Sequence, residues 1–254
     1  MIVPKPWFNY PRPNSQARLR LFCFPYAGAG ASIFRTWPEQ LPTDIEVCTV
    51  QLSGRENRLR EPLFTEIQPL IQILAQVLLP HLDLSFAFFG HSLGALIGFE
   101  LARQLRRQNQ PIPLHFFVSS RPAPQIPNPN LPIHQLPDTA FVEALHDYNG
   151  TPEAVLQDPE LRSLFLPILQ ADFGMLETYA YTPEAPLNCS ITAFGGLQDK
   201  KVSRDDLAGW HEQTSSTFTL RMFPGDHFFL NKEQGTLLPA ISQDLSQITA
   251  DDGT

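Results

Sequence analysis

Charge is scarce in this 254-residue chain: Asp, Glu, Lys and Arg make up 17% of it. Basic residues are the scarcer sign, 18 Lys and Arg against 26 Asp and Glu, for a net charge of −8. A protein that neutralises phosphates needs a clustered basic face, and no such stripe is present, which argues against nucleic-acid binding. Cysteine is nearly absent. Cys23, Cys48 and Cys189 are scattered, odd in number and embedded in apolar strand-like runs. They read as reduced, buried small hydrophobes rather than a disulfide frame or metal cluster. Long apolar runs are also missing. The longest, near Leu70–Leu79, carries Gln72 and Gln76, so no membrane span is expected. The opening Met-Ile-Val-Pro-Lys-Pro-Trp has no apolar core and two prolines, so no secretory signal is expected either. The expectation is a soluble, cytoplasmic protein.

What is present is ordinary apolar content, 43%, which excludes a disordered chain. Proline is abundant: 25 residues, about twice the common frequency. Many short breaks and a loop-rich insertion follow from that. No internal repeat is visible. Residues 1–16 are Pro-rich and expected to be irregular. Beyond them, strand-like runs at Leu19–Pro25, Ile45–Leu52, Phe86–Phe89 and Leu114–Ser120 alternate with helical patterns at Ile67–Leu79 and Leu93–Arg107. A short helix is expected over Phe34–Leu41. The alternation predicts an α/β fold with a mostly parallel central sheet flanked by helices. From Arg121 to about Pro186 no strand pattern occurs; turn-forming prolines lead into helical stretches at Phe141–Tyr148, Pro159–Pro167 and Ile168–Tyr179. This reads as a helical insertion, residues 121–186, within one domain spanning 17–248. Strands resume at Cys189–Phe194 and Phe218–Phe223, a helix is expected over Gln234–Ile248, and residues 249–254 are expected to be a disordered tail.

Gly90-His91-Ser92-Leu93-Gly94 lies between a strand and a helix. That is the G-x-S-x-G nucleophile elbow in its required context, with small residues flanking a serine lifted on a sharp turn. The Leu93 amide at the helix start is placed to hold an oxyanion. A serine needs a base and a group that orients the base, in the chain order Ser, acid, His. Of seven histidines, His227 sits in a turn directly after the strand Phe218–Phe223, whereas His211 is expected mid-helix and His91 is read as elbow support. Among the acids, Asp199 leaves the strand Cys189–Phe194 through a Gly-rich loop. Asp205 and Asp206 read as helix caps, and Asp226 adjoins His227 too closely to turn onto its ring. The second oxyanion donor should come from the loop after the first long strand, Phe24-Pro25-Tyr26-Ala27-Gly28-Ala29-Gly30, with the Ala27 amide the choice.

The ordered set FPYAGAG, SGRENR, FGHSLGALIGFELAR, SSRPAP, LPILQADFGMLETY, AFGGLQD and FPGDHFFL resembles the type II thioesterases, stand-alone α/β-hydrolases that accompany polyketide synthases and nonribosomal peptide synthetases. The resemblance runs over about residues 17–248. It implies an α/β-hydrolase fold, a triad of Ser92, Asp199 and His227, an oxyanion hole of the Ala27 and Leu93 amides, and a mobile helical lid at residues 121–186. It also implies hydrolysis of acyl, aminoacyl or peptidyl thioesters carried on phosphopantetheine, with carrier protein domains as partners and an editing role. No metal or cofactor is expected beyond the phosphopantetheine of the substrate, and the expected state is a monomer. Two positions depart from the family's pattern: Ser53 precedes Gly54-Arg55 where proline is usual, and Ala29 stands where the family has a second glycine. Arg55 and Arg58 have two readings, steering of acidic carriers or ordering of their own loop. Arg103, Arg106 and Arg107 read as a solvated helix end. A carboxylesterase, a lipase or an acyltransferase would use the same triad, so these remain alternatives.

Overall fold

The computed structural model describes residues 6–146, 148, 150 and 153–251. Seven strands form one sheet: β1 (Phe8–Asn9), β2 (Leu19–Phe24), β3 (Ile45–Val50), β4 (Ser85–His91), β5 (His115–Ser119), β6 (Ser190–Gly196) and β7 (Phe218–Phe223). Their spatial order is β1-β3-β2-β4-β5-β6-β7. β1 pairs antiparallel with β3, and every other pairing is parallel. This is the mostly parallel, helix-flanked sheet of an α/β-hydrolase.

Helices cover both faces, so the central strands are apolar on both sides. In β2, Phe22 and Phe24 face one cluster with Leu70, Ile71 and Leu74 of α1 (Ile67–Leu78) and Leu96 and Ile97 of α2 (Leu93–Arg107). The alternate residues Leu21 and Cys23 face a second cluster with Phe34, Trp37 and Phe89 and, from the C-terminal helix, Leu237, Leu238 and Ile241. All three cysteines are free and buried.

Three helices lie between β5 and β6: α3 (Asp138–His146), α4 (Glu153–Gln157) and α5 (Pro159–Glu177). They pack their own small cluster of Phe141, Leu145, Leu156, Leu166, Leu169 and Phe173. Asp158 caps α5 by accepting the Glu160 and Leu161 amides at 2.8 and 3.0 Å, with Pro159 as its first residue. α6 (Arg204–Ala208) starts with a capping box between Ser203 and Asp206, and α7 (Gln234–Asp251) ends the described chain.

Several boundaries differ from the sequence reading. The N-terminal segment contributes β1. Phe34–Leu41 is not one helix but two short 3-10 turns, the second containing Pro38. The break expected at Pro167 is absent, and α5 runs through it as one 19-residue helix. α7 extends to Asp251, so residues 249–251 are helical, and the rest of the expected tail, 252–254, lies outside the described residues. Tyr148 lies past the end of α3. His211 falls in a 3-10 turn, Gly209–Gln213, rather than mid-helix. No helix of the described residues is long and apolar enough to cross a membrane.

Candidate active site

The elbow is built by close packing. Ser92 links β4 to α2 with φ +53° and ψ −110°, a left-handed conformation that costs a non-glycine residue about 1–3 kcal/mol. Its amide donates to the Ser119 carbonyl at 2.8 Å, tying the turn to β5. A Cβ on Gly94 would lie 2.0 Å from the Phe24 carbonyl oxygen, and one on Gly90 2.3 Å from the Gly94 oxygen. Only glycine at both positions lets the start of α2 press against the end of β2.

His227 stands in the turn after β7, and its Nδ1 meets Asp199 Oδ2 at 2.8 Å. The Asp199 side chain is fully buried. Its other oxygen accepts the Lys201 and Val202 amides at 2.8 and 3.1 Å, so the carboxylate is fixed from both sides. Asp226 turns to its own backbone instead, accepting the Phe228 amide, and Asp206 is engaged by Ser203. Ser92, His227 and Ala27 line a single cavity of about 550 Å³. Leu93 is buried directly behind Ser92 at the start of α2. With Nδ1 engaged by Asp199, Nε2 is the nitrogen of His227 left to act on a proton in that cavity.

An aromatic box surrounds the histidine. The rings of His91, Tyr26 and Phe228 pack with one another, and those of His91 and Phe228 lie 5.4 and 5.1 Å from His227. His91 is fully buried and its Nδ1 meets Ser119 Oγ at 2.8 Å. Burial, and then the neighbouring His227, hold its pKa well below the ordinary histidine value, so it packs as a neutral ring.

Of the apolar residues in the helical insertion, Leu145, Leu169, Phe173 and Leu176 line the cavity, while Leu161 and Leu164 are exposed and Phe141 and Met175 are buried elsewhere. The opposite wall is the proline-rich segment from Pro122 to Asn130.

One connection was not legible in the sequence. Asp172 of α5, fully buried, accepts two hydrogen bonds from Arg55 at 2.6 and 2.8 Å and the Gly28 amide at 2.7 Å. The insertion is therefore bonded to the loop that carries Ala27. Arg55 is not available to steer a partner. Nor is Arg58, which is buried beneath the Trp7 ring at 3.6 Å and paired with Glu61. Ordering of their own loops is what the structure gives both. Arg103 is likewise buried, bonded to Glu100 and Glu184, and is not a solvated helix end. Among the described residues no group of three His, Cys, Asp or Glu side chains is placed to hold a metal ion.

The model of the thioesterase domain family matches residues 19–247. GrsT, a gramicidin S biosynthesis protein of Aneurinibacillus migulanus, is 47% identical, covering 96% of this chain and 95% of its own length. The solved structure of RedJ, a thioesterase from the prodiginine biosynthetic pathway of Streptomyces coelicolor, superposes with a TM-score of 0.84 at 39% identity, over 89% of this chain and 85% of that one. BorB, a type II thioesterase from the borrelidin biosynthetic cluster, superposes with a TM-score of 0.85 at 34% identity, over 93% and 96%.

Proposed function

The chain belongs to the thioesterase family and stands with its type II members, and on that premise we propose that it hydrolyses acyl thioesters on carrier-bound phosphopantetheine with Ser92 as nucleophile, His227 as base and Asp199 as its orienting acid. The observation that carries the assignment is the 2.8 Å His227–Asp199 contact at the wall of the same cavity that holds the elbow serine.

The steps follow from that geometry. Ser92 Oγ attacks the thioester carbonyl carbon while its proton passes to His227 Nε2. The imidazolium that forms is stabilised by Asp199, which stays ionised. The carbonyl oxygen becomes an oxyanion held by the Ala27 and Leu93 amides; one such donor is worth about 10²–10³ in rate. The C–S bond breaks, His227 gives its proton to the departing sulfur, and the pantetheine thiol leaves. Water then attacks the Ser92 ester, giving a proton to His227. Collapse returns that proton to Ser92 Oγ and releases the acid. These steps draw on no metal or organic cofactor.

The helical insertion acts as a lid whose rearrangement admits the acyl-pantetheine arm. Its Asp172 link to the oxyanion loop supports a coupling of lid position to oxyanion geometry. The reaction clears stalled or wrong acyl groups from carrier domains, and the enzyme works in the cytoplasm as a monomer.

The deciding experiment compares an acyl-pantetheine-carrier substrate with its matched oxygen ester, with product analysis by mass spectrometry. Higher kcat/KM on the thioester, free acid as product and loss of activity in Ser92→Ala are expected. A higher kcat/KM on the oxygen ester would make it a carboxylesterase or lipase, and an acyl group transferred to an added alcohol or amine would make it an acyltransferase.

A further inference from the structure

His91 is held by more than the turn it belongs to. It ends β4, its side chain is fully buried, and three other segments of the site pack against it. Its Nδ1 meets the hydroxyl of Ser119 at 2.8 Å, at the end of β5, and the carbonyl of the same serine holds the Ser92 amide. Its ring lies 5.5 Å from that of Tyr26, which leads into Ala27. Three successive rings of the base's own turn close the other side: His227 at 5.4 Å, Phe228 at 5.9 Å and Phe229 at 6.2 Å. One side chain thus joins the nucleophile's strand, the strand that braces the elbow, the loop of the proposed oxyanion donor and the turn of the base.

Aromatic packing alone does not account for a histidine at this place. Its Nε2 is buried with no hydrogen-bond partner among the described residues. A buried nitrogen left in that way costs stability, and an apolar ring would fill the space without the cost. A neutral imidazole carries its proton on one nitrogen and accepts on the other, while a serine hydroxyl can serve in either sense. Burial, and then the His227 side chain, keep charge off the ring; the group that favours a proton on it is the His227 backbone. That selects the tautomer in which the Ser119 hydroxyl donates to Nδ1 and the Nε2–H is turned to the His227 main chain.

We propose that His91 is a positioning residue for the triad: as the Nε2–H tautomer it orients the main chain at His227 and holds the base in register with Ser92. Asp199 sets the direction of the His227 ring, but it does not tie the turn after β7 to the elbow. His91 supplies that second constraint, because it stands on the elbow's own strand and is bonded to the serine that holds the Ser92 amide. It touches no reacting atom and exchanges no proton. Its neutrality is part of the role, since a charge on it would oppose the imidazolium that forms on the ring 5.4 Å away.

The proposal rests on Ser92 and His227 as nucleophile and base, and the test separates it from the thioesterase reading. In the double variant His91→Phe/Ser119→Ala a ring remains and no hydroxyl is stranded, so Tm should stay within about 3 °C of wild type or rise. On an acyl thioester its kcat should nonetheless fall at least about tenfold while KM changes less than about threefold, the pattern of an alignment lost in the transition state. His91→Gln, whose amide nitrogen falls near the place of Nε2, should retain more of kcat than His91→Asn, whose nitrogen falls near that of Nδ1. A kcat within about threefold of wild type in the double variant, or a Gln variant no faster than the Asn variant, overturns the proposal and leaves the thioesterase assignment intact. If the double variant does not fold, NMR spectra of the labelled histidines in the wild type decide. An Nε2–H tautomer of His91 unchanged between about pH 5 and 8 supports the proposal, and an Nδ1–H tautomer or a titration in that range overturns it. If no thioester is cleaved, the thioesterase assignment fails, and the rate at which a fluorophosphonate labels Ser92 takes the place of kcat. Slower labelling of the double variant supports the positioning role; an equal rate, or no labelling of the wild type, overturns it.

Discussion

Replacing Asp172 by alanine tests both the packing of the helical insertion and its hold on the loop that carries Ala27, the proposed oxyanion donor. The carboxylate is fully buried, takes both Arg55 bonds and accepts the Gly28 amide. Removing it strands a guanidinium that is 4% exposed; breaking a buried pair in this way costs about 3–5 kcal/mol. The orphaned Gly28 amide adds about 1–3 kcal/mol if no water reaches it. For a chain of this size each kcal/mol lowers Tm by about 2–4 °C, so the stranded guanidinium alone should lower the melt by roughly 6–20 °C, and by up to about 30 °C with the orphaned amide. The double variant Arg55→Met/Asp172→Leu removes both charges and should recover much of that loss. Activity provides the second readout. Gly28 follows Ala27, so a loosened loop should lower kcat on a short acyl thioester toward the about 10²–10³ loss of a missing oxyanion donor, and in the double variant kcat should stay low while Tm recovers. A Tm within 1–2 °C of wild type (roughly the effect of a surface change) together with an unchanged kcat would refute the coupling.

Other consequences are open to test. Asp199→Asn should preserve the fold but reverse the hydrogen-bonding demand on His227 Nδ1, lowering kcat by about 10⁴; a loss below tenfold would remove Asp199 from the triad. Gly94→Ala places a methyl carbon against the Phe24 carbonyl, which cannot yield, so soluble expression or Tm should fall sharply, and an unaffected melt would contradict the elbow packing. His91 and His115 are held neutral, first of all by burial, with His115 brought down to about 4 against the opposing pull of Asp244. The unfolded chain therefore binds more protons below its histidine pKa near 6.5, so stability falls as pH drops from about 6.5 to 4. His115 alone accounts for about 3 kcal/mol of that loss. Urea melts across this range should show the slope, and His115→Gln should flatten it; a flat wild-type profile would sink the argument.

The strands that carry the sheet and the site were readable because a parallel strand buried on both faces is a nearly continuous apolar run, and its period needs no partner to be seen. The elbow, Asp199 and His227 follow from their places at strand exits. Long-range partners could not be read in this way. β1 is two residues long and exists through its pairing with Val50 and Thr49. Arg55 stayed open between steering a partner and ordering its loop because Asp172, its partner, is 117 residues away. Arg103 looked solvated until Glu184 closed over it. Pro167 looked like a helix end because local propensity says so, yet the flanking Leu166, Ile168 and Leu169 are buried and hold α5 straight through it.

The hydrophobic cluster of the helical insertion has a double duty. Leu145, Leu169 and Phe173 hold those helices together and also form the wall of the cavity that Ser92 and His227 line. Room for a bulkier substrate therefore cannot be opened without withdrawing material from the insertion's own foundation. Phe173→Ala would enlarge the chamber and weaken its roof in one stroke, by about 3–5 kcal/mol. A change of size at these positions therefore calls for a compensating exchange within the same cluster, at Phe141, Leu156 or Leu166.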